Sequence, residues 1–83
     1  MKNYKKVYAK HFDIGQDDIA LCEVCGAVGV DIHHIKLRSQ GGEDNIENLI
    51  LLCRSDHDKA HFKKEPYLSE EELQEIHNNF LTK

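Results

Sequence analysis

The chain has 83 residues, of which 40% are hydrophobic and 31% are charged, and its formal net charge is −4. This composition excludes a disordered tail and predicts one small globular domain, of a size that buries only about 60% of its unfolded surface and often needs an added cross-link. No apolar run approaches the roughly 20 residues that span a bilayer, and the N-terminal segment lacks a signal-peptide core, so we expect a cytoplasmic protein.

The N-terminal extension, residues 1–14, is predicted to be a helix that ends near Gly15. Its apolar residues recur at helical spacing, at Tyr4, Val7, Tyr8 and Phe12. The segment Cys22-Glu23-Val24-Cys25 follows, and its C-x2-C spacing is typical of a tight knuckle, with Gly26 supplying turn conformation.

Two strands and two helices are predicted after the knuckle. The predicted segments are a strand over 28–37, a loop over 39–45, a strand over 49–52, a helix over 54–64 and a helix over 69–82. The last helix begins with a capping box formed by Ser69 and Glu72, and Leu68 and Leu73 stand where a hydrophobic staple would lie. The order α–knuckle–β–β–α–α predicts a small α+β domain.

The charge distribution leaves a nucleic-acid partner open despite the acidic total. Residues 1–12 carry four lysines and no acid, residues 32–42 add two cations, and residues 59–64 add three. Charge that is segregated in this way can form a basic face, with bound divalent metal helping to offset the acids.

The three cysteines indicate a structural metal site. In a reducing compartment the C-x2-C spacing indicates metal ligands or a redox pair rather than a structural disulfide, and Cys53 supplies a third sulfur. On a helix that begins after Cys53, residue 56 lies roughly 60° from it and residue 57 roughly 40° on the other side. Asp56 and His57 are therefore both candidates for the fourth ligand. The alternative is that the cysteines are small core residues and Asp56 is only a helix-start acid.

A second constellation contains four of the six histidines. His57 and His61 are four residues apart, so they share one helix face and can chelate one ion. Asp56 and His61 lie about 140° apart on the same helix. One helix can thus offer Cys53 and Asp56 to one metal and both histidines to another, which favours Asp56 over His57 for zinc. The other two histidines, His33 and His34, are adjacent on the first predicted strand.

The order of C-x2-C, HHI, GG, ENL-ILLC and DH-x3-H resembles the HNH endonucleases, which carry the ββα-metal (His-Me finger) fold. The similarity covers about residues 19–63, and the two terminal helices lie outside it. We therefore expect residues 1–83 to form a single HNH domain with helical extensions at both ends. Where the family usually has a second C-x2-C knuckle, this chain has Cys53-Arg-Ser-Asp56, which keeps the site charge if aspartate replaces a thiolate.

The resemblance implies a role for each motif residue. His34 would be the general base, Asn48 and His57 would complete the catalytic motif, and the catalytic ion would be Mg²⁺, Mn²⁺, Ni²⁺ or Zn²⁺. We expect Asn48 to tie the loop ends and orient the base, although a simple turn asparagine is nearly as plausible. The expected ligands are His33, His57 and His61 for the catalytic ion, and Cys22, Cys25, Cys53 and Asp56 for a structural Zn²⁺.

The implied activity is hydrolysis of DNA phosphodiesters, with nicking and with 3′-hydroxyl and 5′-phosphate ends. Candidate phosphate contacts, each of which could equally be a solvated side chain, are Lys36, Arg38, Lys63 and Lys64. One rival is a non-catalytic zinc-finger module that binds nucleic acid or protein, which would have no use for a base beside a metal ligand. A toxin-type DNase domain is a second rival.

Overall fold

The computed structural model describes residues 4–15 and 18–82, so residues 1–3 of the predicted N-terminal extension lie outside it. The helices and strands follow the predicted order, and the small α+β class is confirmed. The elements are α1 (Tyr4–His11), β1 (Asp31–His34), β2 (Leu49–Leu52), α2 (Arg54–Ala60) and α3 (Glu70–Leu81), with short 3-10 turns at Arg38–Gln40 and Ile46–Asn48. The helices formed by the described residues lack the length and the apolar composition of a membrane-spanning helix.

The sheet is one antiparallel pair in which His33 of β1 lies opposite Ile50 of β2. The prediction of a strand over 28–37 was too long, because β2 offers only four residues for pairing. The preceding residues serve the knuckle instead, where Val28 forms an isolated bridge with Leu21.

Strand β2 is buried on both of its faces, which explains why it is a continuous apolar run. One face packs with Cys22, Ala60 and Leu73 in a core beneath α2 and α3. The other face packs with Tyr8 of α1. The remaining residues of the predicted α1 stripe, Tyr4, Val7 and Phe12, are partly buried against this second core. The sheet is therefore held between the terminal helices.

Both α1 and α2 end earlier than predicted, and two residues after each helix the backbone is left-handed. After α1 this residue is Asp13, with φ of 55°, and after α2 it is Phe62, with φ of 61°. After α2, the N–H of Lys63 bonds to the carbonyl of Asp58 and the N–H of Phe62 bonds to that of Lys59. This pair of bonds is the Schellman arrangement, which stops a helix by satisfying its last carbonyls. The helix predicted over 54–64 therefore ends at Ala60.

Helix α3 begins with the predicted capping box. The Glu72 backbone N–H donates to Ser69 Oγ, and the Glu72 carboxylate accepts from the Ser69 backbone N–H. Leu73 is buried and Leu68 packs against the same core, as a staple requires.

Candidate functional site

Three sulfurs and one carboxylate converge where the knuckle meets the start of α2. Cys53 is the N-cap residue of α2, and its sulfur accepts a hydrogen bond from the backbone N–H of Asp56. That turn directs the Asp56 side chain toward the knuckle sulfurs of Cys22 and Cys25. One ligand atom from each of the four residues lies within 4.8 Å of the others. The structure thus brings Asp56, and not His57, to the three cysteines.

The spacing of these atoms fits a tetrahedral zinc ion. Zinc–ligand bonds of about 2.0–2.3 Å imply thiolate–thiolate edges of about 3.8 Å and thiolate–oxygen edges of about 3.5 Å. The two sulfurs of Cys25 and Cys53 are 3.6 Å apart. Asp56 Oδ2 lies 3.1 Å from the sulfur of Cys22 and 3.3 Å from that of Cys53. These three distances are within a few tenths of an ångström of the tetrahedral edges, so the donor set fits Zn²⁺.

Hydrogen bonds keep the Asp56 side chain ionised although it is only 3% exposed. Burial raises its pKa, but hydrogen bonds from the three thiols and from Lys59 outweigh burial and bring that pKa below its ordinary value. The Lys59 ammonium is 3.4 Å from Asp56 Oδ1. Asp56 therefore offers a carboxylate, the form of the side chain that binds metal.

A second cluster joins β1 to α2 through three imidazoles. His33 points from β1 toward the helix face that carries His57 and His61, and one ring nitrogen from each lies within 4.8 Å of the others. The Nε2 atoms of His57 and His61 are 3.1 Å apart. Two imidazole nitrogens on one tetrahedral ion are about 3.4 Å apart. We name these three residues the histidine trio.

Burial favours the uncharged form of His33 and His61, which is the form that binds a cation. Burial, with the neighbouring His57, lowers the pKa of His33 to about 4. Burial and then His57 also lower the pKa of His61. With three ligands the trio would leave coordination positions on an ion open, whereas the cysteine cluster could supply all four ligands of a tetrahedral ion.

His34 lies on the opposite face of β1 from His33, because successive side chains of a strand alternate. Its Nε2 is 2.7 Å from Asp44 Oδ1. The ring of Tyr4 packs edge-on against it at a centroid distance of 4.9 Å. The imidazole is therefore held from two sides and does not belong to the histidine trio.

Asn48 fastens the loop that carries Asp44. Its Oδ1 accepts from the backbone N–H of Lys36 at 2.7 Å, and its Nδ2 donates to the carbonyls of Lys36 and Glu43. Gly42 must be glycine here, because a Cβ atom would lie 1.8 Å from the Lys36 carbonyl oxygen. The GG and Asn48 motifs thus bring the loop back to the end of β1.

The four candidate phosphate contacts have exposed side chains. Arg38 Nε lies 3.9 Å from Asp44, and Lys64 donates to the Ser55 hydroxyl at 3.0 Å. Lys36 follows β1 and Lys63 follows α2, so the cations flank the elements that carry the histidines.

Sequence reasoning missed two carboxylates beside the histidines. Asp31 Oδ2 lies 3.0 Å from His57 Nδ1 and 3.2 Å from Arg54. Asp31 stands two residues before His33, and this spacing on a strand would have placed both on one face. Asp44, the partner of His34, is in an irregular loop, where no periodic signal could have identified it.

Comparison with protein families adds one finding. The family model described as HNH endonuclease matches residues 22–63, just over half of the chain. Searches of curated proteins and of solved structures found no significant match. The matched segment begins at the first knuckle cysteine and ends just beyond His61, so it includes both clusters, His34 and Asn48. The chain belongs to the HNH endonuclease family.

Proposed function

We propose that this protein is a metal-dependent DNA endonuclease that nicks one strand at a time, with His34 as the general base. The observation that carries this proposal is the histidine trio, with a separately oriented His34 on the same strand. A non-catalytic zinc module needs the cysteine cluster but has no use for a second, open cluster of imidazoles. The whole chain would act as one nuclease domain with helical extensions.

In the proposed hydrolysis, the histidines and the residues that contact them have separate roles. Asp44 accepts the Nε2 proton of His34, which leaves Nδ1 as the atom that takes a proton from water. Asn48 orients this histidine indirectly, by holding the Asp44 loop against β1. Asp31 accepts the Nδ1 proton of His57 and so turns its Nε2 toward the other two histidines of the trio. A divalent ion bound there would stabilise negative charge on the phosphate and on the leaving oxygen.

The cysteine cluster has a different task, which is to hold the domain together. Its four ligands come from the knuckle and the start of α2, so a zinc ion would join these segments. Because a chain of this size buries little surface, such a cross-link would contribute directly to folding. Lys36, Arg38, Lys63 and Lys64 would contact DNA phosphates.

The test is plasmid cleavage by the wild type and by His34→Ala, with Mg²⁺, Mn²⁺, Ni²⁺ and Zn²⁺ in parallel. Removing a general base should lower the rate about 100-fold or more. The variant should keep the zinc content and melting temperature of the wild type, because His34 is in neither metal cluster. His11→Ala, an exposed histidine on α1, is the matched control and should retain full activity. Near-normal cleavage by His34→Ala would refute its role as the base.

A further inference from the structure

A cavity of about 230 Å³ lies directly beside the histidine trio. His33 and His61 form one wall, so an ion on the trio and a group in the cavity would be neighbours. The floor of the cavity is formed by residues of the hydrophobic core, since Ile35 is 2% exposed and Leu73 is 1% exposed. The cavity is smaller than the roughly 300 Å³ at which pockets for drug-sized ligands begin, so it suits one ring system.

Phe62 lies at the edge of this cavity and has a left-handed backbone conformation, which is unfavourable for a phenylalanine. It is the residue after the α2 C-cap, where glycine is usual because φ is positive. Phe62 lines the cavity, and the residue is nevertheless 61% exposed. Its ring centroid lies 5.4 Å from that of Tyr67, which is also exposed. Backbone strain that places an exposed aromatic ring beside a candidate ion site is a reason to look for a ligand.

Polar side chains at the rim of the cavity could form hydrogen bonds with the edge of a bound ring. Gln40 and Glu70 both line the cavity. Within the part of the chain that the structure describes, neither side chain has a hydrogen-bond partner. An amide can donate and accept, and a carboxylate can accept from an exocyclic amino group of a base. Lys63, which follows Phe62, is exposed and can meet a phosphate.

We propose that the cavity binds the nucleobase next to the scissile phosphate, unstacked from its neighbours and packed against Phe62. This inference rests on the proposed function and specifies its substrate. A base in regular B-DNA lies inside the stack and cannot enter a cavity walled by His33 and His61 without leaving the duplex. The preferred substrate is therefore DNA with unpaired bases at the cut: single strands, mismatches or frayed ends. Aromatic stacking accepts every base, so little sequence preference is expected from it.

The variant that tests this proposal is Phe62→Gly. Glycine adopts positive φ without strain, so this change removes the ring while the α2 terminus keeps its conformation, and the melting temperature should not fall. Val30→Ala is the matched control, because Val30 is 55% exposed and does not line the cavity. Each protein is given an end-labelled single-stranded oligonucleotide, the fully paired duplex, and an oligonucleotide of the same length built from abasic tetrahydrofuran nucleotides.

The wild type should cut the single strand about tenfold faster than the duplex or the abasic strand, measured as kcat/KM. In Phe62→Gly the ratio of the single-strand rate to the abasic-strand rate should fall toward one, whereas Val30→Ala should keep the wild-type ratio. Equal cutting of base-containing and abasic strands by the wild type, or an unchanged ratio in Phe62→Gly, would overturn the proposal while leaving the nuclease function intact. A wild type that cuts no substrate with any divalent ion would overturn the proposed function, and the base site with it.

Discussion

Asp56 is the residue at which the two candidate metal centres separate. It is adjacent to His57 in sequence, yet its carboxylate faces the thiols of Cys22 and Cys53, while His57 faces Asp31 and His61. The reason is helix geometry, because successive residues of α2 are rotated by about 100° around the helix axis. Two neighbouring side chains can therefore serve two separate metals.

If Asp56 is the fourth zinc ligand, Asp56→Ala should lower zinc affinity and destabilise the domain. Losing one of four ligands removes on the order of 3 kcal/mol from a zinc binding free energy of about 10–16 kcal/mol. Asp56→Cys should restore a full ligand set and retain cleavage. His57→Ala should stay folded with its tight zinc but lose ion-dependent cleavage.

Metal analysis after dialysis, combined with thermal unfolding of the three Asp56 and His57 variants, separates these cases. The reverse pattern, in which His57→Ala loses zinc and unfolds while Asp56→Ala does not, would indicate a site of three cysteines and one histidine. The ion of the histidine trio would then lack a ligand.

Asp31 should increase the affinity of the histidine trio for a divalent ion, because it orients His57. Removing a carboxylate that orients a ligand histidine typically weakens metal binding 10–100-fold, about the range expected for Asp31→Ala. Arg54→Ala is the control: Arg54 also contacts Asp31 but is 70% exposed, so its ion pair contributes little. The measurement is the ion concentration that gives half-maximal cleavage. Equal shifts in the two variants would contradict a specific role for Asp31.

At the scale of elements, a buried carboxylate joins the two terminal helices to the knuckle. Glu23, between the knuckle cysteines, accepts from the Tyr8 hydroxyl of α1 at 2.6 Å and from His77 Nδ1 of α3 at 2.8 Å. His77 Nε2 donates to the carbonyl of Ile46 at 2.5 Å. His77 is fully buried, and both of its ring nitrogens are used in these contacts. Both terminal helices are thus attached to the segment that carries the knuckle cysteines.

This attachment should make stability depend on pH. Burial lowers the pKa of His77, but its hydrogen bonds to Glu23 and Ile46 and the charges of Glu23 and Glu47 outweigh burial and raise it. A raised folded-state pKa stabilises the fold fully below the unfolded value of about 6.5, and this stabilisation is lost as pH rises through the folded-state pKa.

The difference in unfolding free energy between the wild type and His77→Gln should therefore shrink as pH rises above about 6.5. Both proteins are unfolded in denaturant with saturating zinc, because deprotonation of the cysteines favours zinc at high pH and would otherwise act in the opposite direction. Taking the difference cancels that shared effect. A difference that stays constant or grows with pH would show that His77 is not protonated in the fold.

At the scale of the whole molecule, the described residues form one unit about 32 × 28 × 25 Å in extent. They contain one histidine trio and one cysteine cluster. Since a duplex has two antiparallel strands, one such site would act on one strand at a time. The size of the domain and its single open site lead to the same expectation about products.

A single molecule should convert supercoiled plasmid to nicked circles first, and linear DNA should appear later. The measurement is a time course on agarose gels at several protein concentrations, with sedimentation giving the mass of the active species. Linear product that forms at once, without a nicked intermediate, would mean that two copies act together.

Much of this architecture was predictable from local sequence. Helical spacing identified the α1 stripe, Ser69 and Glu72 identified the start of α3, and the ordered motifs identified which cysteines and histidines group together. The rotation of about 100° per helical residue even separated Asp56 from His57 before any tertiary contact was known. These features depend on neighbours within one or two turns, so periodicity and motif order are sufficient to infer them.

Other features were decided only by the tertiary structure. The partners of His57, His34 and His77 are Asp31, Asp44 and Glu23, at separations of 26, 10 and 54 residues. No helical or strand period relates residues across such distances, because loops and packing bring them together. The left-handed conformation of Phe62 is likewise a consequence of how α2 ends. The sequence by itself determined which side chains could bind metal, whereas the fold determined which carboxylate orients each histidine and that a cavity lies beside them.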